Sequence, residues 1–98
     1  MRKVRREPQT EALGHDKLLP LLHAMFREFQ ELSKKKPDSV LNKKKIEIAN
    51  KLLKDVLSHL EGTPFRQYLY LLDEDDLPQN SDVMLILGQA IAAMRNAR

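Results

Sequence analysis

The sequence predicts an all-α chain, a compact four-helix bundle with one short helix, preceded by a disordered basic N-terminal tail. Three observations carry that prediction. Apolar residues recur at three- and four-residue spacings in separate blocks, the period of a helix face. Proline, glycine, asparagine, aspartate and threonine fall between the blocks, where helices start and stop. No alternating strand pattern and no internal repeat occurs in the 98 residues. With 42% hydrophobic and 32% charged residues, the composition fits one small globular domain. A domain of this size buries a modest core, so oligomerisation is a reasonable expectation.

Residues 1–14 read as the tail. They contain Pro8 and Gly14, mix charges and show no apolar period. The bundle then occupies 15–98. Its first helix should begin near Asp16, whose carboxylate can cap free N–H groups. Pro20 then falls in the first turn, where no intrahelical bond is lost. Leu18, Leu22, Met25, Phe29 and Leu32 form one face, and Leu19, Leu21 and Phe26 widen it. Pro37 stops the helix.

The second helix should start at Asn42 as N-cap, with Leu41 and Ile46 at the positions of a hydrophobic staple. Ile46, Ala49, Leu53, Val56 and Leu60 form its inward stripe, broadened by Leu52 and Leu57. Gly62 ends it. Thr63-Pro64 opens a short third helix reaching about Leu72, with Phe65, Tyr68, Leu69 and Leu72 on one face. Tyr68 is expected to pack and Tyr70 to cover the bundle edge. With Arg66, this stretch also offers an aromatic anchor for a partner.

A polar loop, DEDDLPQNSD, leads to a fourth helix capped by Asn80 or Ser81, with Asp82 in its first turn. That helix is apolar almost all round, which suits a central or interfacial position. Gly88 and Ala92 stand four apart and admit a close neighbour. Met84, Leu87, Gly88, Ile91 and Ala92 are therefore candidates for a helix-packing or dimer interface.

The net charge of +3 conceals a segregated pattern. Residues 33–55 carry eight lysines against Asp38, Glu47 and Asp55, a net +5. Residues 61–82 carry Arg66 against six acidic residues, a net −5. Lys34, Lys35 and Lys36 end the first helix, where cations suit the macrodipole. Lys43, Lys44 and Lys45 occupy the first turn of the second, where they do not. A helix N-terminus with several lysines suits a phosphate, so both runs are candidate contacts for phosphate or for an acidic partner. The stretch has no interleaved aromatic for base stacking and no arginine, which argues against nucleic acid. Asp73, Glu74, Asp75 and Asp76 are the matching candidates for a basic partner. They do not form an EF-hand loop, because Pro78 stands where glycine is needed and no glutamate follows at the twelfth position.

Catalytic chemistry finds little support. The sequence has no cysteine, no glycine-rich phosphate loop and no nucleophile elbow. His15, His23 and His59 lack metal-ligand spacing and read as solvated or helix-capping residues. No apolar run approaches the ~20 residues that cross a bilayer, and the N-terminus lacks a secretory apolar stretch. A cytoplasmic, non-catalytic protein-interaction module is expected, self-associating or a small subunit of a larger assembly. Its partner would be protein, with no cofactor, metal, membrane or small-molecule substrate. The alternative is a nucleic-acid-binding accessory protein acting through the lysine runs and the tail.

Overall fold

The computed structural model describes residues 14–97. The tail expected over 1–14 thus lies, but for Gly14, outside the described residues, as does Arg98. Three α-helices form among the described residues: α1 (His15–Lys35), α2 (Lys43–His59) and α3 (Asn80–Asn96). Two 3-10 turns, Pro64–Tyr68 and Glu74–Asp76, separate α2 from α3. The only strand-like feature among the described residues is an isolated bridge between Val40 and Gln79. The all-α class holds, and the expected four helices become three.

Helix α1 begins earlier than its sequence suggests. Gly14 is the N-cap, and its carbonyl accepts from Leu18 N at 2.8 Å. Asp16 lies inside the first turn instead of capping it. Pro20 is consequently within the helix. The N–H it lacks would have reached the Asp16 carbonyl. Both residues are exposed. The helix ends at Lys35, ahead of Pro37, as expected.

Helix α2 follows its sequence signals closely. The Asn42 side chain accepts from Lys45 N at 2.9 Å. Leu41 and Ile46, the staple pair, are both buried. Beyond the helix, Thr63 N donates to the Leu60 carbonyl at 2.9 Å and closes a turn. Gly62 holds φ +83° in that turn, a left-handed conformation that suits glycine.

The short third helix is not an α-helix. Pro64 does open a 3-10 turn, but it ends at Tyr68 and the chain leaves in extended form, with Leu69 at φ −121° and ψ 149°. The reason lies in α2. The Asn50 amide donates to the Leu72 carbonyl at 2.9 Å, and its Oδ1 accepts from Leu72 N at 2.8 Å. Both backbone groups of Leu72 are satisfied by one side chain, so this segment needs no helix to pair them. Leu69 and Leu72 still reach the core. Tyr68 does not pack as expected; it is 66% exposed.

Helix α3 is the centre of the molecule. Val83, Leu87, Ala90 and Met94 are inaccessible, and α1 packs chiefly on this helix and less on α2. Its cap is Gln79, not Asn80 or Ser81; the Asp82 carboxylate accepts from Gln79 N at 2.8 Å. Asn80 is instead a buried connector, donating from Nδ2 to the Lys36 carbonyl at 2.9 Å. The α1–α2 loop supplies the remaining partners. The Ser39 carbonyl accepts from Asn80 N, the Pro37 carbonyl accepts from Ser81 N, and Leu41 N donates to the Pro78 carbonyl.

Asn50→Ala should destabilise the protein by ~1–3 kcal/mol, because it leaves the Leu72 N–H and C=O without partners in a part-buried site. Urea unfolding of the variant against the parent measures this. Asn50→Asp should recover less than half, since a carboxylate can accept from Leu72 N but cannot donate to its carbonyl.

Candidate interaction site

The loop 36–42 sets where the charged residues lie. It joins the end of α1 to the start of α2 and is tied to the start of α3. Lys34 and Lys35 close α1, Lys36 is its C-cap, and Lys43, Lys44 and Lys45 are the first three residues of α2. All six are exposed. The structure therefore places both runs beside one loop, with no acidic residue in the first turn of α2. Lys34 pairs with Glu31 at 3.3 Å on the open surface of α1. Among the described residues, none of the other five forms an ion pair.

The acidic run lies near the same end. Asp73 to Asp76 lead through Leu77 into Pro78 and Gln79, the residues that meet Leu41 and Val40. Asp73 accepts from Asp75 N at 2.9 Å and opens the second 3-10 turn. Leu77 follows in the left-handed region at φ 52°. The four acidic side chains are exposed and touch no lysine within ion-pair distance among the described residues.

The five α3 candidates divide. Leu87 and Ile91 lie in the chain's own core, and Met84 packs against it. A Cβ placed on Gly88 would stand 3.5 Å from Cε1 of Phe26, so the close approach at this glycine is between α3 and α1. Ala92 alone is exposed. It borders a crevice with Phe65 and Tyr68.

The histidines do not converge. His15 Nε2 donates to the Met94 carbonyl at 2.7 Å and so caps the last turn of α3. His15 and His23 also border an open crevice on the surface of α1. No group of three or more metal-ligating side chains lies together among the described residues. No helix among them is long and apolar enough to cross a membrane.

What the sequence did not single out is a groove between α1 and α2. One end, about 90 Å³, lies between Phe29 and Leu32 on α1 and Lys45 and Ile48 on α2. The other, about 380 Å³, lies between Leu21 and Met25 on α1 and Ile48, Lys51 and Leu52 on α2. Met25, Glu28 and Ile48 border both. The floor is apolar, yet Leu21 is 46% and Ile48 47% exposed. Ile48 stands off the inward stripe of α2, paired at four residues with Leu52, and that spacing was the available signal.

No family model, curated protein or solved structure matches the chain.

Replacing Lys43, Lys44 and Lys45 together by Glu should leave stability unchanged or raise it by up to ~1 kcal/mol, because it exchanges repulsion with the helix N-terminus for attraction. Thermal melts at low and high salt measure this, and the difference should shrink as salt rises.

Proposed function

We propose that the chain is a non-catalytic protein-interaction module that associates with itself, or serves as a small subunit of an assembly, in the cytoplasm. The observation that supports this reading is the α1–α2 groove, where Leu21 and Ile48 stand about half exposed above a floor of Met25 and Leu52. Apolar surface gathered in a groove with a charged rim is what a partner buries. Leu85 is also exposed, at a crevice it shares with Phe26 and Met84, but no charged residue borders that crevice. Sedimentation equilibrium from ~10 µM to ~1 mM spans the range in which small interfaces assemble. The weight-average mass should rise above the 11.4 kDa of one chain. A mass fixed at one chain throughout would sink self-association.

A second reading has its own support. The six exposed lysines flank one loop, and α2 directs its first N–H groups to the same place. A nucleic-acid backbone would use such a surface without sequence preference. On this reading a generic duplex binds at low salt, and log K falls linearly with log salt. Lys43→Glu, Lys44→Glu and Lys45→Glu together should then abolish binding. Retained binding in that variant would remove the lysine runs from the contact.

A further inference from the structure

We propose that two copies of the chain pair through the α1–α2 groove about a two-fold axis running along the helices, which sets Glu28 of each copy against Lys45 and Lys51 of the other. This rests on the self-association reading above and names its surface. Helices α1 and α2 are antiparallel, since the residues facing each other across the groove run Leu32 to Leu21 on one wall and Lys45 to Leu52 on the other. The α1 wall carries Glu28, and the α2 wall carries Lys45 and Lys51, all exposed. These opposite charges share one groove but do not bridge it. None of the three side chains has a hydrogen bond or ion pair among the described residues.

Symmetry turns that into a partner choice. A two-fold axis along the groove lays α1 of one copy over α2 of the other, antiparallel, without shifting it along the axis. Glu28 lies between the levels of Lys45 and Lys51 in its own chain, so it stays between them across the axis. Two equivalent acidic-on-basic contacts then flank a seam of Leu21, Met25, Ile48 and Leu52 from both copies. Turning the axis across the helices instead stacks α1 on α1 and α2 on α2, and an axis at the level of Glu28 puts it beside its own equivalent, a like-charge contact. The resulting four helices pack as an ordinary bundle. A two-helix face ~25 Å long and ~20 Å wide gives on the order of 1,000 Å² between two copies, the lower bound of specific interfaces. The dimer is therefore weak and depends on concentration.

The test uses the full chain and sedimentation equilibrium, with circular dichroism to show that each variant is folded. Glu28→Lys alone should weaken the dimer ~10-fold or more, as should Lys45→Glu with Lys51→Glu, because each sets like charges face to face. Mixing the two variants should restore a dimer of mixed composition, since both contacts are then again opposite in sign. Leu21→Glu with Ile48→Glu should abolish pairing without unfolding. A parent chain that dimerises while the mixture stays monomeric overturns the proposed axis. A dimer that survives the Leu21 and Ile48 changes overturns the proposed face and leaves self-association standing elsewhere. A parent that remains one chain at every concentration overturns both.

Discussion

The loop 36–42 is held to the first turn of α3 by hydrogen bonds that neither segment could make alone, and the positions of all three helices follow from that pairing. Helix α3 is apolar over most of its circumference and enters the core at once. Its leading N–H groups cannot bond within the helix and need partners. The Ser39 and Pro37 carbonyls provide them to Asn80 and Ser81. In return the buried Asn80 amide satisfies the carbonyl of Lys36, where α1 has just ended. A buried side-chain amide without that partner would cost ~1–3 kcal/mol. The end of α1, the start of α2 and the start of α3 are thereby fixed to each other.

That fixed corner determines the charge layout and the groove together. The two lysine runs become neighbours because the loop between them is folded against α3. Helix α1 then follows α3 for most of its length and leans on α2 less. The space left between α1 and α2 is lined by apolar residues that the inward stripes do not use. The groove thus arises from how α3 claims α1.

Much of this was legible in local sequence. The Asn42 cap, the Leu41 and Ile46 staple, the stop before Pro37 and the left-handed Gly62 all depend on neighbours in the chain, and each stands where spacing put it. Two of the errors share one cause. The segment after Pro64 has apolar residues three and four apart, which an α-helix would also show. It is extended because Asn50, 22 residues away, takes both backbone groups of Leu72. The cap of α3 shifted to Gln79 because Asn80 is occupied 44 residues away at Lys36. Periodicity carries no trace of such long-range side-chain bonds. The candidate site was legible only in part for the same reason. The lysines could be counted, but the groove around Ile48 depends on the distance between two helices.

These distant bonds also bear on how the chain comes apart. His15 reaches Met94 across 79 positions, Asn80 reaches Lys36, and Asn50 reaches Leu72. The first joins two helices end to end, and the other two each tie a helix to a segment that has no regular structure of its own to hold it. Helix α3 has little polar surface with which to persist in water once the loop at 36–42 lets go, and the extended stretch at 69–73 has no ladder to return to. Local fraying therefore has few places to stop, and opening one closure exposes the next. The domain is built to lose its structure as a single cooperative unit, with slow exchange of the Leu41, Leu72 and Asn80 amides governed by the whole fold.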